Sequence, residues 1–337
     1  MPTKAWIGIV TLVAALSVTA GCGQKTEQER SKQTSPPPAK LTNVRFAVNP
    51  VSQGALAIVA IEKGYFRDEG LDVEVSKFPT GKLAFDAVLG GAAEFATVAE
   101  VPIMYAAMSG QRPAIIATIE RSGKSIKILA RKDAGVAKPE DLRGKKIATF
   151  KGSSAEFFLD CFLKKYGMTQ KDVEVIHLTP QDMVAALSRG EIAAMCIWEH
   201  HIYNAKTALT HDGVETIVFV EPDLYVETNN IAVREDYLTA NKPTLLSFLR
   251  AFRRAEQLVR QSPGEAQAIV ARYVGLDQAV LAAIWPDFDF ALAFEPKLVT
   301  QLADQAKSAV EAGTIKAVSP MPDFGKFVHQ ELLRDSK

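Results

Sequence analysis

The tetrapeptide Asp72-Val73-Glu74-Val75 returns as Asp172-Val173-Glu174-Val175, and the rest of the chain falls into register around this recurrence. Ala87-Val88-Leu89, then Gly91 and a strand-like run ending at Glu100, are matched by Ala186-Leu187, Gly190 and a run ending near Glu199. Residues 45–48 likewise match 145–149. Chance supplies one such match easily, but three in one order at an offset of about 100 positions indicate a duplicated unit. Within the first unit, apolar runs at 44–48, 71–75 and 94–98 read as strands. They alternate with helical patterns at 52–63, where Ser52 can cap, and at 81–89. That alternation predicts an α/β layer fold with mostly parallel strands, made twice. The loops after the strands then lie at the carboxyl ends of both sheets, where open α/β proteins bind ligands. Two such lobes facing each other form a cleft that closes by hinge motion.

The composition suits this plan. With 47% hydrophobic residues in 337, the chain can bury a large core. Lys plus Arg and Asp plus Glu both number 39, so no long-range field draws it to nucleic acid, and no nucleic-acid partner is expected. Lys4 precedes the apolar run 5–18 and the small residues Thr19-Ala20-Gly21 before Cys22. This pattern reads as a secretory leader over 1–22, too short to span a bilayer comfortably. Its Ala20-Gly21-Cys22 ending resembles a bacterial lipobox, with Thr19 where an aliphatic residue is usual. Cys22 is therefore expected to carry lipid and hold the protein at a membrane outside the cytoplasm; the alternative is an ordinary cleaved leader with a chance cysteine. Residues 23–40 are polar and rich in proline, and are expected to be a disordered tether. Cys161 and Cys196 are the remaining cysteines, expected to be buried thiols, with a disulfide left open.

The stretch from Ile61 to Glu74, IEKGYFRDEGLDVE, resembles the A-x-x-K-G-Y-F-x-x-E-G-L-x-V signature of the nitrate/taurine/sulfonate substrate-binding proteins of ABC importers. Glu94-Phe95-Ala96, Asp141-Leu142-Arg143-Gly144-Lys145-Lys146-Ile147-Ala148 and Ile197-Trp198-Glu199 resemble further motifs in the family's order, over residues 42–330. The signature itself is structural: Gly64 and Gly70 stand where a helix stops and turns back into a strand. The resemblance implies a bilobal type II periplasmic-binding-protein fold, two mixed-sheet lobes joined by a two-crossing hinge. Lobe I is expected from 42–128 plus 228–333 and lobe II from 129–227. Helical patterns at 244–261, 265–273 and 298–312 are expected to serve as scaffold on lobe I.

Lys151-Gly152-Ser153-Ser154 follows a strand and opens a helix, so its free N–H groups and hydroxyls form an anion site, or Ser153 or Ser154 simply caps the helix. The family pattern adds Ser52, Gln53 and Gly54 in the equivalent first-lobe loop, then Thr80-Gly81 and the segment from Thr97 to Glu100. Trp198 offers a wall with one donor, and Glu199, with its duplicate Glu100, offers a carboxylate for an amine or hydroxyl; a solvated rim is the bland alternative. Asn229, within Thr228-Asn229-Asn230 ahead of a strand at 231–234, is read as hinge, contact or turn. Glu199-His200-His201 lacks metal-binding spacing, and Gly123-Lys124-Ser125 resembles the end of a phosphate loop but has Thr118 where the first glycine belongs. Neither a metal nor a cofactor is expected. The sequence thus points to a monomeric solute-binding component with a permease and an ATPase as partners. Its solute is expected to be a small anion or zwitterion: an alkyl sulfonate, taurine, nitrate or a carboxylate. The rival readings are binding of a thiamine-pyrimidine precursor or other neutral heterocycle, an enzyme like the thiamine-pyrimidine synthases, whose Cys-rich segment this chain lacks, and a sensor domain.

Overall fold

The computed structural model describes residues 40–337, so the expectations for the leader, Cys22 and the tether fall outside the described residues. Ten strands follow in order: β1 (Thr42–Val48), β2 (Leu71–Lys77), β3 (Phe95–Ala99), β4 (Pro113–Ser122), β5 (Ile126–Arg131), β6 (Lys146–Thr149), β7 (Glu174–His177), β8 (Ala194–Trp198), β9 (Thr216–Phe219) and β10 (Glu227–Arg234). They form two five-stranded sheets, β2-β1-β3-β10-β4 and β7-β6-β8-β5-β9. The orders correspond slot by slot, as duplication requires. In each sheet the first three strands run parallel, and the fourth is antiparallel to its neighbours. That fourth strand always comes from the other half of the chain: β5 enters the second sheet directly after β4, and β10 enters the first directly after β9.

The crossings are therefore residues 123–125 and 220–226. The division expected at 128/129 falls inside β5 rather than at the crossing. Thr228, Asn229 and Asn230 are not a turn ahead of a strand but part of β10, paired with β4 and β3. Gly123-Lys124-Ser125 is the bend that makes the first crossing, and its glycine has a steric cause: a Cβ there would lie 2.3 Å from the Pro222 carbonyl oxygen of the second crossing. Backbone cannot yield as a flexible side chain does. Gly123→Ala is expected to destabilise the protein by about 1–3 kcal/mol, as overpacking does. A urea titration checks it, and an unchanged midpoint would show that the two crossings separate freely.

Each sheet is flanked by helices that bury an apolar stripe. On Lys242–Gln261 the buried residues Leu245, Phe248, Leu249, Phe252 and Val259 recur at helical spacing and close over β1 and β3. Helix Leu298–Glu311 lies instead on helix Glu100–Met108, next to the hinge.

Candidate functional site

Between the two sheets lies a hollow of about 460 Å³, counted with the space that opens to solvent. Four segments that lead from a strand into a helix line it. Asn49, Val51 and Gln53 follow β1 and precede helix Ala55–Glu62; Thr80, Gly81 and Lys82 open helix Gly81–Leu89. Thr97, Val98 and Ala99 end β3 ahead of helix Glu100–Met108, and Ser153 and Ser154 open helix Ser154–Lys165 from the second sheet. Four helix starts thus converge on one space, each turning the positive end of its dipole toward it. Capping and lining are not exclusive here. The Thr80 hydroxyl accepts from Leu83 N at 3.2 Å, and the Ser153 hydroxyl accepts from Glu156 N at 3.4 Å while both residues face the hollow.

The walls carry polar atoms without protein partners. Gln53 Oε1, Trp198 Nε1 and Asn229 Oδ1 are buried and make no hydrogen bond. Each such orphan costs about 1–3 kcal/mol unless something else satisfies it. Three of them surround one hollow.

Of the residues expected to touch solute, Gln53, Thr80, Gly81, Thr97, Ser153, Ser154, Trp198 and Asn229 line this hollow. Ser52, Gly54, Gly152, Glu100 and Glu199 do not line it, and each has a local reason. Ser52 is fully buried beneath the first loop. Gly54 packs near the Asn49 carbonyl oxygen. Gly152 has φ +71°, a left-handed conformation that glycine adopts without strain, and its N–H donates to Glu156 Oε2 at 2.7 Å. Glu100 is held by the Tyr225 hydroxyl, by Thr228 N at 2.9 Å and by Gln305 Nε2 at 2.8 Å. Glu199 is paired with Lys127. The two carboxylates are counterparts, as the duplication implies, but both turn inward to partners because a buried carboxylate needs one.

The sequence reading overlooked Asn49, Val51, Lys82, Pro102 and, above all, Glu227. Glu227 opens β10, accepts hydrogen bonds from the Ser154 and Ser125 hydroxyls, and so joins the first sheet, the hinge and the second-sheet helix. Burial, and after it the neighbouring Glu100, push its carboxyl up to about 7 against those hydrogen bonds. Lys82 brings the hollow its positive side chain, bonded to Asp86 at 2.7 Å.

His200 and His201 are buried, and burial pulls them down to about 4 and about 2, so both are neutral at neutral pH. His200 also takes the positive φ of 51°. Among the described residues, no three or more His, Cys, Asp or Glu side chains are placed to hold a metal ion. Cys161 and Cys196 are free thiols, half-buried and buried respectively.

Comparison with known proteins extends this geometry. A Bacillus subtilis protein named as a binder of aliphatic sulfonates is 27% identical over 280 residues, which cover 81% of this chain and 80% of that protein. The taurine-binding periplasmic protein of Escherichia coli is 27% identical over 60% of this chain and 56% of its own. Among solved structures, the alkanesulfonate-binding protein of Xanthomonas axonopodis pv. citri, bound to MOPS, superposes with a TM-score of 0.75 at 20% identity over 86% of this chain and 99% of that one, a likeness of fold. Residues 52–266 match the NMT1/THI5-like family, and with that match over more than half of its length the chain belongs to that family.

Proposed function

We propose that the protein is the solute-capturing component of an ABC importer and that its cargo is a small anion or zwitterion of the sulfonate, taurine, nitrate or carboxylate type. The observation that carries this reading is the convergence of four helix starts, with two serine hydroxyls and the indole N–H of Trp198, on one hollow between two hinged sheets. Such a site attracts negative charge through oriented backbone rather than through a salt bridge. Closure around solute then follows from the higher affinity of the closed arrangement. The relatives named for sulfonate and taurine binding support this choice of cargo, and the periplasmic one supports a location outside the cytoplasm. Anchoring by lipid on Cys22, partnership with a permease and an ATPase, and a monomeric state belong to the same proposal.

The test is a thermal-unfolding screen with alkane sulfonates, taurine, nitrate, carboxylates and neutral heterocycles. A bound solute at about 100 times its Kd raises stability by about 2.7 kcal/mol. Stabilisation by an anion is expected, whereas stabilisation only by neutral heterocycles would overturn the reading. Trp198→Phe keeps the wall and removes the N–H. It is expected to weaken the anion that binds by about 2 kcal/mol, roughly 30-fold, the usual contribution of a hydrogen bond to a charged partner. Isothermal titration reads that loss directly.

A further inference from the structure

The hollow that receives the solute contains a carboxylate, and the positive side chains near it are engaged elsewhere. Glu227 is 5% exposed, with one oxygen accepting from Ser154 and the other from Ser125 at 2.7 Å. Acidic or neutral groups face it from every element around it: Glu100 from helix Glu100–Met108, Glu120 from β4, Tyr225 from the second crossing, Gln53 from the loop after β1, and Trp198 from β8. The cations of the region have partners. Lys82 holds Asp86 at 2.7 Å, Lys127 holds Glu199 and Asp287, and Lys124 lies 3.7 Å from Asp287. On helix Ser154–Lys165, Glu156 is bonded to His177 and to Gly152 N.

An anion drawn in by the helix starts therefore meets a second negative charge in the same desolvated space. Two like charges so close disfavour each other's ionised form, and a proton is the simplest neutralising partner. We propose that Glu227 takes up one proton as an anionic solute enters, so that its carboxyl turns from acceptor to donor toward the solute and capture is proton-linked; this rests on the anionic cargo proposed above. The proton comes from solvent and settles on a carboxyl oxygen of Glu227. That proton points to the solute, and the carboxyl oxygens keep lone pairs for the Ser154 and Ser125 hydroxyls, so no bond need be lost.

Before any solute arrives, burial and Glu100 already push Glu227 up to about 7, and the negative charge of a bound anion carries it further, so that the bound form stays protonated well into the alkaline range. Glu120 does not compete for the role. It does not line the hollow, and burial, followed by Glu227 and Glu100, pushes its carboxyl well above the carboxylate range. Glu100 is satisfied by Tyr225, Thr228 and Gln305 and does not line the hollow. Because solute prefers the protonated form, affinity is flat on the acid side and falls by about tenfold per pH unit above about pH 7.

The probe is ethanesulfonate, whose charge is constant over this range, titrated calorimetrically into the full chain between about pH 6 and pH 9. In the wild type, Kd is expected to rise by about tenfold per unit on the alkaline side. Titrations at pH 8 in two buffers of different ionisation heat are expected to show about one proton absorbed per sulfonate. Glu227→Gln, a permanent neutral donor, is expected to bind with an affinity that no longer changes with pH. Binding by the wild type without pH dependence or proton uptake overturns the proposal alone, as does a pH dependence that survives in Glu227→Gln. Failure of ethanesulfonate to bind at any pH, while a neutral heterocycle does, removes the anionic cargo and the proton linkage together. The wild-type buffer experiment decides even if the variant does not fold.

Discussion

Phe248→Ala is expected to lower the unfolding free energy by about 4 kcal/mol, a large share of the 5–15 kcal/mol of a typical domain. Phe248 is fully buried on helix Lys242–Gln261 and is the hub of an aromatic cluster. Its ring stacks on Phe95 at 3.7 Å and 6°, meets Phe46 edge-on at 5.0 Å, and lies 4.7 Å from Phe66 and 5.3 Å from Phe252. Truncation loses the transfer energy of the ring, leaves a cavity, and removes the hold of four rings on one another. Phe248→Leu keeps most of the volume and is expected to lose only about 1.5 kcal/mol. Chemical denaturation with both variants checks the ratio. A loss below about 1 kcal/mol for the alanine variant would mean that the cluster collapses without penalty. The effect reaches function as well, since Phe46 and Phe95 sit on β1 and β3, whose carboxyl ends deliver Asn49 and Thr97 to the hollow.

Much of this architecture is legible before any coordinates. The recurrence of Asp72-Val73-Glu74-Val75 near residue 172 reports sheet order, because β2 and β7 occupy the same edge of their sheets. Helices 81–89 and 298–312 are marked by apolar spacing to within a residue of Gly81–Leu89 and Leu298–Glu311. Helix starts were readable because a cap and a glycine act locally. What stays hidden is whatever depends on pairing across the chain. β4 is almost wholly buried and nearly continuous in apolar residues, so it carries no period to read. Its partner β10 begins Glu-Thr-Asn-Asn, whose two asparagines favour turns in isolation and become strand through the ladder with β4 and β3. Glu227 was missed for that reason: as the residue before a turn it looks solvated, and as the first residue of β10 it faces Ser154 and Ser125. Glu100 and Glu199 show the converse error. Position at a strand end suggested the cleft, but burial without a counter-group is costly, and each found partners on its own side of the wall.

Lys127→Met is the sharpest test of that last point and is expected to destabilise the protein by about 3–5 kcal/mol. Lys127 lies on β5 of the second sheet and binds Glu199 at the end of β8, while Asp287 Oδ2 is 3.2 Å away. Asp287 belongs to the turn Trp285–Asp287, and the chain just beyond it pairs with β4 through Arg121 and Asp289. The ammonium therefore links the second sheet to a segment fastened on the first. Burial alone would pull it down, but Glu199 and Asp287 outweigh that and hold its pKa above the ordinary lysine value. Removing it leaves Glu199, 3% exposed and with Oε2 already unpartnered, as a carboxylate buried without a cation. The uncompensated charge, not the lost attraction, makes the effect large. The double variant Lys127→Met/Glu199→Gln removes both charges and is expected to recover more than half of the loss. If the single variant stays within about 1 kcal/mol of wild type in urea unfolding, Glu199 has access to water or to another partner. The account of why it does not face the hollow would then fail with it.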